Sequence, residues 1–350
     1  MIKLPVLKKL WLIIVETYIK LGFLFYFKKI KSHYLEEIPT DKAVMFLSNH
    51  QNASLDPLLI TVSSTRKNYF LTRADAFSNR IISSILKSLQ MIPVYRLRDG
   101  IRTITKNKEI FSSCSDFLLL NKSIILFPEG NHSLNRCVRN LSKGFTRIVD
   151  DYIKKRKDQE LVIIPVGLNY QSPTEFGDRV SIYFGRSIDP GNYLNSNDVL
   201  DIQRLKISVQ DNLKLLTTHI KIDNDYESNL NKLNTLKVDF TDPILVNECL
   251  NNQFQYRGNK TRSISRMFYF FKFFTILIYS IPYLIWKKII SPKIVDDEFI
   301  GTLRFSVIIT IAPLFLIGEA ILISVLFGDV YGLISLFIGI IVPLISLRAK

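Results

Sequence analysis

Asn49-His50 and Asp56-Pro57 bring an imidazole and a carboxylate within a short stretch, and well downstream comes Phe127-Pro128-Glu129-Gly130-Asn131-His132-Ser133. The chain has four histidines, and two of them fall inside these two segments. An imidazole with a carboxylate in reach is the minimal device for taking a proton from an alcohol near neutral pH. In one continuous helix this spacing would put the two side chains on separate faces. Across a strand–turn–helix junction it brings them together. Asp56 would then accept a hydrogen bond from one ring nitrogen, fix the tautomer and raise the basicity of the other, an effect worth roughly 10²–10⁴ in rate. The Asp-Pro pair equally suits an ordinary helix start, with Asp56 as N-cap and Pro57 in the first turn. From this segment alone both uses stay open.

The second segment ends an apolar run at a turn, where sheet enzymes hold ligands beyond the carboxyl ends of strands. A glycine-containing loop rich in proton donors suits an anion. Downstream, Arg136, Arg139, Lys143 and Arg147 supply cations with no acidic residue before Asp150. Phosphate recognition needs such cations; a solvated basic face beside a membrane is the plainer use of each. Ser54 or Ser133 with His50 would suggest a hydrolase, but neither sits in a nucleophile-elbow pattern. Cys114, Cys137 and Cys249 have neither metal-ligand nor disulfide-framework spacing, so no metal site is expected and a reducing, cytosol-facing body is.

The elements that must position these residues alternate. Val44–Leu47, Tyr69–Leu71, Ile92–Tyr95, Ile124–Phe127, Val162–Val166 and Val180–Phe184 are short apolar or β-branched runs. Helical patterns lie between several of them, near Ala76–Leu89, Arg102–Leu120 and Phe145–Tyr152. Such alternation predicts an α/β fold, a mostly parallel sheet flanked by helices, over residues 41–222. Residues 223–266 are polar and Asn-rich and read as a linker with a helical patch near Ile244–Leu250.

The ends have a different composition. Leu10–Phe27 is apolar except for Glu16 and Lys20, which share a helix face, and no small-residue cleavage site follows. Residues 1–40 are therefore expected to hold an interfacial helix rather than a removable signal. The C-terminal region, 267–350, is a helical membrane region. Phe305–Gly328, as a helix about 36 Å long, covers a hydrocarbon core of about 30 Å. Its single charge, Glu319, is outweighed by its leucine, isoleucine, valine and phenylalanine content. Glu319 could mark an ion path, but with no partner in sight helix packing or a helix end is the expected role. Val330–Leu347 has no charge and just spans. Phe273–Trp286 is short and carries Pro282, so it is expected to be re-entrant or interfacial. Net charge is +15 and mean hydropathy +0.17. With long apolar stretches and no recognition-helix or zinc-finger pattern, the basic balance points to anionic membrane lipids and not to nucleic acid.

These residues carry a resemblance. The chain resembles the phospholipid/glycerol acyltransferase family, which includes lysophosphatidic acid and glycerol-3-phosphate acyltransferases. Four motifs appear in family order over roughly residues 40–190: Asn49-His50…Asp56-Pro57; Ile92-Pro93-Val94-Tyr95-Arg96; Phe127-Pro128-Glu129-Gly130-Asn131-His132-Ser133; and Ile164-Pro165-Val166-Gly167. The resemblance implies that His50 and Asp56 activate an acceptor hydroxyl to attack an acyl thioester, with no serine or cysteine nucleophile. It implies that Arg96, Glu129 and Gly130 help hold the glycerol-phosphate part of the acceptor, and that the fourth motif borders the acyl chain. Two departures stand out. Most of the family has four residues between the histidine and the aspartate, whereas Gln51–Leu55 make five, as in a branch acting on glycerol-3-phosphate and dihydroxyacetone phosphate. His132 occupies the usual arginine position, before Ser133, and a neutral imidazole is a weaker phosphate donor. Either Lys143 or Arg147 compensates, or the head group differs.

The expected protein is thus an integral membrane O-acyltransferase of glycerophospholipid biosynthesis. It takes acyl-CoA or acyl-carrier protein as co-substrate and needs no resident cofactor. The favoured acceptor is 1-acylglycerol-3-phosphate (lysophosphatidic acid), with glycerol-3-phosphate, dihydroxyacetone phosphate or a lyso-aminolipid as rivals. A catalytically silent lipid-binding scaffold is the alternative of another class, though a scaffold has no need of the dyad. Arg304, Arg348 and Lys350 flank the two spans, the turn between them has Asp329 and no cation, and Lys260, Arg262, Arg266, Lys287, Lys288 and Lys293 flank Phe273–Trp286. The positive-inside rule therefore puts the outer ends of the hairpin and the catalytic domain in the cytosol.

Overall fold

A computed structural model gives the fold and describes residues 6–95, 102–156, 160–261 and 265–350. The motif residue Arg96 and the flanking cation Arg262 lie outside the described residues. Helix α1 (Val6–Tyr26) precedes strand β1 (Lys29–Tyr34), followed by β2 (Ala43–Ser48), α2 (Leu55–Ser63), β3 (Asn68–Arg73), α3 (Arg80–Ser88), β4 (Met91–Val94), α4 (Arg102–Leu119), β5 (Ser123–Leu126), α5 (Gly144–Lys155), β6 (Leu161–Tyr170), β7 (Arg179–Phe184) and α6 (Ile202–Leu216). The strands form one seven-stranded sheet in the order β1-β7-β6-β2-β5-β3-β4. From β6 to β4 all neighbours are parallel, whereas β7 runs antiparallel to β6 and β1 lies parallel to β7. All six strand runs expected from the sequence are strands. The edge strand β1, Lys-Ile-Lys-Ser-His-Tyr, was not among them. The helical pattern near Ala76–Leu89 resolves into a short 3-10 turn, Ala74–Phe77, and α3, whose first amides are capped by Asn79.

Burial explains the centre of the sheet. Every residue of β2 is buried, as befits a parallel strand covered on both faces. Val44 and Phe46 point into one core with Phe23, Tyr26, Leu59 and Ile60. Met45 and Leu47 point into the other with Cys114, Phe145, Ile148 and Leu213. This period-2 division places α1 and α2 on one face and α4, α5 and α6 on the opposite face.

Residues 223–261, expected as a linker, carry α7 (Tyr226–Thr235) and α8 (Pro243–Asn251) around an apolar cluster of Tyr226, Leu233, Val238, Phe240, Val246 and Cys249. This unit packs on the ends of β6 and β7: Phe240 N–H donates to Gln171 Oε1 at 2.9 Å, and Arg179 pairs with Asp239 at 2.9 Å.

Beyond it come α9 (Arg266–Ile278), α10 (Ser280–Leu284), α11 (Ile300–Phe327) and α12 (Asp329–Ala349). Two of these, α11 with the short turn before it and α12, are long and apolar enough to cross a membrane, and little of their surface is buried in the protein. The segment containing Phe273–Trp286 bends by 97° after Ile278. Pro282 supplies the reason, since it lacks the N–H that would bond to the Ile278 carbonyl. Helix α1 turns Ile19, Phe23 and Tyr26 inward, where Phe23 and Tyr26 meet Phe305 of α11. Leu10, Trp11, Ile14 and Leu21 of α1 stay exposed.

Candidate active site

The site is built at the carboxyl edge of β6, β2 and β5, where neighbouring parallel strands deliver their ends side by side. Just past β2, the Asn49 side chain extends the ladder to β6, donating to Leu168 O at 3.0 Å and accepting from Leu168 N–H at 2.8 Å. That fixes the backbone from which His50 projects. The imidazole stacks on Phe127, the residue after β5, with ring centroids 3.9 Å apart.

Asp56 is completely buried. Its Oδ2 accepts from His50 Nδ1 at 2.7 Å and from the N–H groups of Gln51 and Asn52 at 2.7 and 2.8 Å. Its Oδ1 accepts from Tyr170 Oη at 2.6 Å. A buried carboxylate is tolerable only when so supplied with donors. The N-cap reading of Asp56 is corrected here: Ser54 occupies the N-cap, Asp56 lies in the first turn of α2, and its carboxylate ties down the preceding turn. Because a carboxylate only accepts, Nδ1 is the donor in this bond and Nε2 is the ring nitrogen that Asp56 leaves unengaged. Tyr170 is an additional member that the motifs did not reveal. Its signal was its place at the carboxyl end of β6, three residues past Ile164-Pro165-Val166-Gly167. Burial, then the adjacent Asp56, raises its phenol well above the ordinary range, so it remains a donor.

The loop after β5 wraps over this pair. Gly130 has a φ of +83° and closes its turn by donating to Phe127 O at 3.2 Å. A Cβ there would meet nothing within 4 Å, so the demand for glycine is conformational. Ser133 N–H donates to His50 O at 3.0 Å, while its hydroxyl accepts from Asn135 N–H at 3.3 Å, a turn role. Glu129 is nearly inaccessible and takes three donors from Arg139: the backbone N–H at 3.1 Å, Nε at 3.0 Å and Nη2 at 2.6 Å. Arg139 also binds Asn131, so its charge is spent within the loop. Arg136 is likewise engaged, donating to the carbonyls of Tyr170 and Gln171 at 2.9 and 2.8 Å and lying over Phe240. These two of the four downstream cations are therefore scaffold. Lys143 and Arg147 are exposed and form no ion pair among the described residues. They sit at the start of α5, held beside the loop by Ser142 N–H donating to Pro128 O at 2.7 Å. Arg73, the last residue of β3, was not singled out by sequence; it lies close enough to lower the proton affinity of His132.

His132 packs edge-on against His50 at 4.4 Å and against Phe299 at 5.0 Å. Burial, reinforced by His50, pushes its pKa down to about 4. It is therefore neutral at physiological pH and is no substitute for a guanidinium. Between pH 6.5 and about 4 the unfolded chain binds a proton at this ring that the folded chain does not. That contribution to stability is complete above pH 6.5 and is lost as pH falls towards 4. Denaturant unfolding across this window should show a shallower pH dependence in His132→Gln than in wild type. Identical slopes would contradict the burial.

The fourth motif lies inside β6, fully buried. Gly167 passes so close to Leu216 that a Cβ would sit 2.1 Å from its carbonyl oxygen. The three cysteines are buried, and burial raises the thiols of Cys114 and Cys137 to about 12 and about 11, so neither is a ready nucleophile.

Residues 29–169 match the family described as Acyltransferase. A solved structure similar to the chain is the 1-acyl-sn-glycerophosphate (LPA) acyltransferase PlsC from Thermotoga maritima, at 18% identity and a TM-score of 0.42, covering 59% of this chain and 78% of that one. No curated protein matches the chain. With the motifs in order and the family match running through them, residues 29–169 form a domain of the Acyltransferase family.

Proposed function

We propose that the protein is a membrane-bound O-acyltransferase that moves a fatty acyl group from an acyl-CoA or acyl-carrier-protein thioester to the free hydroxyl of 1-acylglycerol-3-phosphate. The observation that carries this reading is the closed His50–Asp56 pair, its aspartate fully buried and saturated with donors. His50 Nε2 takes the proton of the acceptor hydroxyl as its oxygen bonds to the thioester carbonyl carbon. The carbon–sulfur bond then breaks, and the imidazolium returns the proton to the departing thiolate. Among the described residues Lys143 and Arg147 are exposed cations beside this loop that suit the acceptor phosphate, and the family resemblance adds Arg96. Glu129 and Gly130 shape the loop, and Ser133 fixes it to the backbone of His50.

Nearness of the site to the apolar helices supports an acceptor that already carries a chain. His132 touches Phe299, which lies at the foot of α11. The five-residue turn between His50 and Asp56 is the observation that favours glycerol-3-phosphate instead. Purified protein offered both acceptors with each donor separates the two.

Both open ends of the hairpin meet the catalytic domain: Arg304 donates to Thr174 O at 2.9 Å, and Lys350 pairs with Glu175 at 2.8 Å. Helix α1 touches α11 near Phe23 and also reaches α3, where Trp11 Nε1 donates to Ser88 Oγ at 3.1 Å. A helix bound at both ends in this way suits the membrane plane rather than a crossing. With the positive-inside rule, the catalytic domain faces the cytosol and the Gly328–Asp329 turn the opposite side. A cysteine placed at Asp329 should label from outside intact vesicles, over a low background because the native thiols are buried. A cysteine at His33 should be shielded. The reverse pattern would overturn the orientation.

A further inference from the structure

The turn from His50 to Asp56 is clasped at its apex by the start of α11. Ala53 stands at the apex with a φ of +33°, in the left-handed region that an alanine seldom adopts. On either side of it, Asn52 C=O and Ser54 N–H are both taken by one hydroxyl. Thr302 Oγ1 donates to Asn52 O at 3.3 Å and accepts from Ser54 N–H at 3.1 Å. Thr302 is the third residue of α11.

The neighbouring Gly301 approaches so closely that a Cβ would sit 2.5 Å from Asn52 Oδ1. Asn52 has little freedom to yield. It is buried, its Nδ2 donates to Pro173 O at 2.8 Å, and its N–H donates to Asp56 Oδ2 at 2.8 Å. Contact therefore runs without a gap from the foot of a spanning helix, through Asn52, to the aspartate that orients His50. Phe299 adds a second contact through His132.

We propose that the first turn of α11 is a built-in part of the active site, with Thr302 and Gly301 as positioning residues that hold the His50–Asp56 turn. The hairpin then sets the geometry of the dyad as well as anchoring the protein. Strained backbone persists only where its surroundings hold it, and a misplacement of about 1 Å at a reacting group costs on the order of 10²-fold in rate. The kinetic consequence rests on the acyl-transfer reading; the clamp on the turn does not.

The test uses the full-length protein in lipid nanodiscs, with acyl-transfer kinetics and the downfield proton resonance of His50 Nδ1 as independent readouts. Thr302→Val should lower kcat on the order of ten-fold, leave both KM values nearly unchanged and shift the His50 resonance. Thr302→Ser should restore both readouts, and Gly301→Ala should behave like Thr302→Val. Thr310→Val makes the same change further along α11, where the hydroxyl bonds Ser306 O at 2.6 Å; it should match wild type. Wild-type kcat and resonance in Thr302→Val would overturn the proposal, as would an equal loss in Thr310→Val. A wild-type protein that transfers no acyl group would bring down the proposed function alone, because the His50 resonance still decides whether Thr302 holds the turn.

Discussion

His50→Ala is expected to reduce acyl transfer by roughly 10³-fold or more, the upper part of the range for loss of a general base, while the protein still folds. The ring sits at a strand end on Phe127 rather than in a core stripe, so its removal forfeits a stacking contact worth about 1 kcal/mol. Asp56 keeps the N–H groups of Gln51 and Asn52 and the hydroxyl of Tyr170, and is not left bare. Asp56→Asn should cost less. An amide turned with its oxygen towards the turn can still accept from His50, Gln51 and Asn52, while its NH₂ donates to Tyr170 Oη. The geometry survives and the negative charge that strengthens the base is lost. Single-turnover kinetics beside thermal unfolding would check both variants; an active His50→Ala protein would remove the mechanism.

Arg139→Ala should produce the largest loss of stability among the site variants. Glu129 is nearly inaccessible, and Arg139 supplies two of its side-chain contacts as well as the donors that bind Asn131. Breaking a buried pair from one side strands the other charge, at about 3–5 kcal/mol. The retained backbone N–H of residue 139 points to the lower end of that range. Removing the charge as well, in Glu129→Gln with Arg139→Ala, should recover much of the loss, which urea unfolding of the single and double variants would show. Because the same pair shapes the loop around Gly130, the acceptor KM of Arg139→Ala should rise while the donor KM changes little. A rise confined to the donor would mean that the loop serves the other substrate.

The central strands were legible because burial on both faces leaves continuous apolar runs such as Ala43–Leu47. Strand β1 was not, since an edge strand with Lys29 and Lys31 turned outward carries no such run. Helix α7 was hidden by its asparagines, which are poor helix formers; tertiary packing of Tyr226 and Leu233 overrides that propensity. The dyad was readable from residue type and spacing, but the work of Asp56 within the turn was not, because Asp-Pro looks the same whether the carboxylate caps forwards or backwards. Lys143 and Arg147, the pair singled out for the phosphate, are the exposed ones, but charge counting gave no reason for it: Arg136 and Arg139 are spent on carbonyls and on Glu129. Hydropathy drew attention to the long apolar part of α11 and away from Phe299, Gly301 and Thr302, which make long-range contacts with Asn52 and His132.

The most direct measurement is transfer of a labelled acyl group by purified protein in nanodiscs, with acyl-CoA and acyl-carrier protein each offered to 1-acylglycerol-3-phosphate and to glycerol-3-phosphate. The account predicts ester formation on 1-acylglycerol-3-phosphate, yielding a diacylated phosphate lipid and free thiol in equal amounts, and no product with His50→Ala. Thiol release with only free fatty acid formed, or ester formation that persists without His50, would contradict it.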